Sequence, residues 1–171
     1  EVDERVDAEG LEVTPLAPEQ MREAVLRLRG QGVEALVIHF MHAYVNDAHE
    51  RQAREIAAAL WPNAYVTVGS ELLPEYREFE RGTTAAINGF VQPVIDRYLR
   101  TLAGELGRQG YRRELLIMQG NGGTMSVDLA ARHAVSTLMS GPAAGVKAAA
   151  YTALAAGHRN IISCDMGGTS F

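Results

Sequence analysis

The sequence predicts an α/β fold in which helices alternate with short apolar strands around a long helical stretch. Three observations carry this reading. Apolar residues recur at helical spacing on either side of a continuous apolar run, residues 33–40, of strand length. Residues 74–107 hold helical patterning throughout, without a strand-like run. After them the rhythm of strand, glycine turn and helix returns.

In order, residues 5–16 read as a short hairpin or edge strand turning at Glu9-Gly10. Pro18 opens a helix whose Met21, Ala24, Val25 and Leu28 fall at i, i+3, i+4, i+7, and Gly30 closes it. The run 33–40 is expected as a strand buried on both faces. A helix over 48–60 follows, with Pro62 just past its end, and then a strand over 65–68. That succession is the pattern of a parallel sheet covered by helices. The middle is expected as two helical stretches, one near 75–81 and a longer one capped by Thr83 or Thr84. The longer stretch carries an apolar stripe through Ile87, Phe90, Val91, Val94, Ile95, Tyr98, Leu99, Leu102 and Leu106, and Pro93 inside it should kink it or restart it. The tail reads as a strand over 114–118, a turn at 120–123, a helix over 126–132 and a strand near 135–138. A helix over 142–156, closed by Gly157, and a final buried strand at Ile161-Ile162-Ser163 complete it.

Composition narrows the function. A chain of 171 residues can bury roughly 70% of its unfolded surface. Its 47% hydrophobic and 22% charged residues are globular values. A net charge of −5, with arginines interspersed among acidic residues, argues against tracking a nucleic-acid backbone. No apolar run is long enough to span a membrane and no signal peptide is evident. The single cysteine, Cys164, excludes an internal disulfide, suits a reducing, cytoplasmic setting and is expected to pack as a small apolar residue. The abrupt first and last residues suggest an internal segment of a longer protein.

Several motifs carry candidate chemistry. The final apolar run leads into Asp165-Met166-Gly167-Gly168-Thr169. An acidic group at a strand end can hold water on a magnesium ion, and two glycines let backbone N–H groups approach phosphate oxygens, with the Thr169 hydroxyl beside them. The same string also occurs as a plain hairpin turn. Ser140-Gly141-Pro142 opens a helix, with Ser140 as N-cap; a helix N-terminus behind a glycine is a ready anion site, or simply a capped helix. Gln119-Gly120-Asn121-Gly122-Gly123 follows a strand, where open α/β sheets place ligand contacts, although Asn121 equally suits a plain turn. No Walker-type lysine loop is present, which removes the P-loop class. His39, His42 and His49 fall within eleven positions and raise a metal reading, set against an ordinary helix start at Asn46-Asp47. Glu71, Glu75, Glu78 and Glu80 around Arg77 and Arg81 read mainly as a solvated face.

Together, residues 72–81 (LLPEYREFER), 88–93 (NGFVQP), 116–119 (LIMQ), Ser140-Gly141-Pro142-Ala143 and Asp165-Met166-Gly167-Gly168-Thr169 resemble the hydantoinase A / 5-oxoprolinase family, which also includes acetone and acetophenone carboxylase subunits. The resemblance runs in order through essentially the whole chain, including His42 and the segment from Asn46 to Glu50. It implies an actin/hexokinase-like (ribonuclease H-like) ATPase fold: a mixed sheet flanked by helices with a long helical segment in the middle. On that fold, residues 1–73 would end a first lobe, 74–110 would be a helical connector, and 111–171 would begin a second lobe.

The activity implied is ATP-dependent opening of a five-membered cyclic amide, a hydantoin or 5-oxoproline, with ATP and magnesium as cofactors and this segment alone inactive. The alternatives are a subunit of an ATP-dependent ketone carboxylase and a non-catalytic α/β interaction module. Carried over by resemblance, Asp165, Gly167, Gly168 and Thr169 would contact phosphate or magnesium, with Asn121 and Gly141 as further contacts. The family has an earlier Asp-x-Gly-Gly-Thr that this chain lacks. The chain also has Gly120 where Ser is usual and Ala144 where Gly is common. The expected partners are a small cyclic amide and a partner subunit or second copy, not nucleic acid or membrane. The residue that handles the substrate is not identified by the motifs.

Overall fold

The computed structural model describes residues 1–167 and divides into two compact units, Glu1–Arg97 and Tyr98–Phe171. Gly168 and Thr169, both carried over above, lie outside the described residues.

In the first unit, β1 (Arg5–Val6) and β2 (Glu12–Thr14) form an antiparallel hairpin. The Asp7 carboxylate accepts the N–H groups of Glu9 and Leu11, and Gly10 takes φ +85°, a conformation that glycine adopts without a Cβ clash. Helix α1 (Pro18–Gly30) starts at its proline and buries Met21 and Val25. Strands β3 (Leu36–Ile38) and β4 (Val66–Val68) pair in parallel, Leu36 opposite Val66 and Ile38 opposite Val68, with α2 (Ala48–Leu60) as the crossover. Val25, Leu36, Ile38, Ala53, Trp61 and Val68 close the core between the strands and the two helices. The extended run at 33–40 thus pairs only over its three central residues. A one-turn helix, α3 (Gly69–Leu72), follows β4 directly.

The middle differs from expectation. One helix, α4, runs without a break from Glu78 to Arg108 and includes Pro93, so Thr83 and Thr84 lie inside it and cap nothing. Proline removes one helical hydrogen bond and costs about 3 kcal/mol. Contacts on both sides offset that cost. Before Pro93, the Asn88 amide donates to Thr67 Oγ1 at 2.9 Å. After it, Asp96 accepts from the Tyr65 hydroxyl at 3.1 Å and Arg97 pairs with Glu34 at 2.6 Å. The inward face carries Arg81, Ala85, Asn88 and Gln92, all buried; of the expected apolar stripe Leu99 is buried, whereas Ile87, Phe90, Val94 and Tyr98 are exposed. Thr67 on β4 decides this orientation, because the amides of Asn88 and Gln92 meet its hydroxyl in the buried contact.

In the second unit, β5 (Leu116–Met118) and β6 (Thr124–Ser126) make an antiparallel hairpin across the glycine turn. Helix α5 (Val127–Arg132) is capped by Ser126, whose Oγ accepts the Leu129 N–H. The strand expected near 135–138 is instead a 3-10 turn, Ala134–Thr137, closed locally by the Thr137 hydroxyl donating to the Ala134 carbonyl. Helix α6 (Ser140–Ala155) begins one residue before Gly141, so Ser140 lies within it and Met139, at φ +59°, holds the cap position. The expected final strand is not formed: residues 161–163 carry no strand, and Ile162 is 93% exposed. Among the described residues no strand pairs with it, and an unpaired strand leaves its backbone groups to water. Cys164 is exposed rather than packed. The described strands therefore form three two-stranded sheets, not one mixed sheet.

Candidate functional site

The motif residues of the second unit gather around α6. The Asn121 side chain folds into its own turn, its Oδ1 accepting the Gly123 N–H at 2.8 Å. Gly120 donates its N–H to the Ser136 carbonyl at 2.8 Å, and a Cβ there would run into the Leu138 carbonyl oxygen. Gly122, at φ +82°, lies under the Lys147 stem, with a Cβ position 2.8 Å from Lys147 Cε. A cavity of about 200 Å³ opens beside this turn, lined by Gln119, Asn121, Ser136 and Leu138. Gly141 sits exposed in the first turn of α6, with nothing within 4 Å of a Cβ added to it. Its N–H is among the first four of the helix, which have no helical acceptor. Met139 just before it holds a left-handed backbone, a sparsely populated conformation for a side-chain-bearing residue.

Asp165 is exposed and makes no hydrogen bond or ion pair among the described residues; its Oδ2 lies 3.8 Å from a Cβ position on Gly145. Gly141 and Gly145 stand four residues apart on α6, hence on one face, while Lys147 projects about 200° round the helix from Gly145. The structure therefore brings Asp165 to the Gly141 face and the Asn121 turn to the opposite one. Gly167 is exposed beyond Asp165.

The first unit holds a second polar assembly that sequence reading took for a solvated face. It lies where β3 and β4 end, the end at which parallel sheets bind ligands. Glu50, fully buried on α2, accepts the N–H groups of Phe40 and Ser70, each at 2.7 Å, and so ties the two strand ends together. Arg81, also fully buried, donates to the Phe40 carbonyl at 2.6 Å and to the Glu75 carbonyl at 3.2 Å, and pairs with Glu78. The His39 ring fills the gap between Gly69 and Gly82, at 3.0 Å from each Cβ position. Its nitrogens lie 3.9 Å from Glu50 and 3.6 Å from Glu78. His42, at φ +57°, donates its backbone N–H to Glu78. The charge of Arg81 thus belongs to the frame of the sheet, and its spacing to Glu78 was the only signal for it.

The histidines do not converge on a metal. His49 faces away, toward the hairpin carboxylates of Glu4 and Glu12. No group of three or more metal-ligating side chains exists among the described residues. No described helix is long and apolar enough to cross a membrane.

Comparison with known proteins gives the context of both assemblies. An uncharacterized protein of Methanocaldococcus jannaschii is 36% identical over 99% of this chain. The caprolactamase subunit alpha of Pseudomonas jessenii is 32% identical over 98% of it. The chain spans about a quarter of the length of either relative, 25% and 24%. Among solved structures, the ATP-dependent caprolactamase of Pseudomonas jessenii superposes with a TM-score of 0.89 at 31% identity, and nucleotide-free acetone carboxylase with 0.82 at 29%. Each match covers 98% of this chain and 24% of the solved one. The hydantoinase/oxoprolinase family model matches residues 81–171, and the model of that family's N-terminal region matches residues 1–61. The chain belongs to the hydantoinase/oxoprolinase family.

Proposed function

We propose that this chain is a segment of an ATP-dependent enzyme that opens a cyclic amide, built on an actin/hexokinase-like two-lobed fold. The observation that carries the reading is the likeness to ATP-dependent caprolactamase, a TM-score of 0.89 over 98% of the chain. In this reading Asp165, Gly167, Gly168 and Thr169 contact nucleotide phosphate, with Gly141 and Asn121 as further contacts.

The described residues fit magnesium-ATP in two respects. Asp165 is a free, exposed carboxylate with no other metal-ligating group clustered about it. Magnesium suits such a site, because it keeps several of its waters and binds through one or two carboxylates plus phosphate. The open first turn of α6 presents backbone N–H groups at the positive end of the helix dipole, on the face that Asp165 adjoins. When bound, ATP would supply a phosphoryl group to the amide oxygen, which would make the ring carbon attackable by water so that the ring C–N bond can break; an unstrained amide otherwise resists water. Asp165 would orient metal-held water, and Gly141 would let phosphate approach the backbone without a Cβ in the way.

The acetone carboxylase match keeps a second reading in view, ATP-dependent carboxylation of a ketone. Assaying the full-length protein for magnesium-ATP hydrolysis separates the two. Turnover stimulated by 5-oxoproline, hydantoin or caprolactam in bicarbonate-free buffer supports the hydrolase; turnover requiring both a ketone and bicarbonate moves the protein to the carboxylases. A non-catalytic module predicts neither.

A further inference from the structure

His49 stands in the first turn of α2, 4% exposed, with each ring nitrogen against a different carboxylate. Nδ1 lies 2.8 Å from Glu4 Oε2 and Nε2 lies 2.9 Å from Glu12 Oε2. Glu4 immediately precedes β1 and Glu12 begins β2, so one imidazole reaches both arms of the hairpin. A neutral imidazole carries one N–H and one lone pair. In either tautomer, that lone pair would point at a carboxylate oxygen within 3 Å with no proton between them. Only the imidazolium donates to both. We infer that His49 is a proton-operated clasp, fastening the β1–β2 hairpin to α2 when charged and loosening it when neutral.

The surroundings leave the clasp little competition. Glu4 and Glu12 are the charged groups that face the ring from the hairpin, while on α2 itself the positions three and four residues on are Gln52 and Ala53. Two further ties of the hairpin join groups that do not titrate: the Asn46 amide donates to the Gly10 carbonyl at 2.9 Å, and the Ala17 N–H donates to the Asp3 carbonyl at 2.9 Å. Losing the proton should therefore loosen the hairpin without unfolding the core. Burial, the largest single influence, pushes the His49 pKa down, but the hydrogen bonds and charges of Glu4 and Glu12 together outweigh it and raise the value above 6.5. The sign follows from linkage. A raised histidine pKa contributes stability that is fully present below 6.5 and is lost as pH rises through the folded value.

Hydrogen–deuterium exchange with mass spectrometry on the intact protein tests this, from about pH 5 to about pH 9. Slow exchange at the histidine Cε1–H reports the His49 titration, and amide exchange in a peptide covering residues 1–16 reports hairpin docking. The expected result is a His49 midpoint above 6.5 and hairpin protection that falls about fivefold or more across it, after correction for intrinsic rates. Glu12 is half-exposed, so E12Q should keep the fold, lower the His49 midpoint and move the loss of protection with it. H49Q should give a flat profile. Hairpin protection that ignores pH in the unmutated protein, or an E12Q midpoint unchanged from it, would overturn the clasp.

Discussion

At the scale of single residues, burial separates charges that hold the frame from charges that could act. Glu50 is fully buried and both its oxygens are taken by backbone donors. A glutamine there keeps one acceptor but turns an NH₂ toward the other N–H. E50Q should therefore lower stability by about 2–3 kcal/mol, read as a lower denaturant midpoint. Asp165 is the opposite case, exposed and unengaged among the described residues. D165A should leave the melting temperature of the full-length protein within a degree or two, yet reduce its magnesium-ATP turnover by about 100-fold or more. Unchanged turnover in D165A would mean that the glycine turns are structural only. The role of Glu78 and Arg81 was not legible in the sequence. Alternating signs at three-residue spacing look the same on a solvated helix and on one whose arginine reaches the Phe40 and Glu75 carbonyls.

Among the elements, legibility followed the local signal. Helices α1 and α2 match the expected spans because the apolar spacing, Pro18 and Pro62 act within each segment. Pro93 does not restart the long helix, since the contacts that offset the proline come from Thr67, Tyr65 and Glu34, distant in sequence. Its inward face was misread for the same reason: Asn88 and Gln92 are polar, and their buried contact with Thr67 is distant in sequence. The final strand failed because its apolar pattern specifies strand but not partner. Gly89 tests the close approach of α4 to β3, because an added Cβ would lie 2.6 Å from Val37 Cγ2. Valine is stiff at χ1 and cannot swing clear. G89A should destabilise the protein by about 1–3 kcal/mol despite alanine's better helix propensity, a sign that thermal unfolding would reveal.

For the whole molecule, the chain is about a quarter of the length of the two relatives compared above, and the proposed phosphate contacts lie on α6 and the segments beside it. Glycine turn, open helix start and free carboxylate were all legible as motifs. Their arrangement around α6 was not, because helix phase puts Gly141 and Lys147 on different faces only once the helix start is known. An actin-like ATPase draws most of its catalytic stabilisation from contacts oriented on both sides of the nucleotide. The 171-residue chain by itself should show no magnesium-dependent ATP hydrolysis above background in a phosphate-release assay. The central claim concerns the full-length protein, and the most direct measurement follows phosphate release and substrate mass together in bicarbonate-free buffer with magnesium-ATP. ATP-dependent formation of a product one water heavier than the cyclic amide, in step with phosphate, is the predicted result. Phosphate release that occurs only with a ketone and added bicarbonate, leaving every cyclic amide intact, would contradict it.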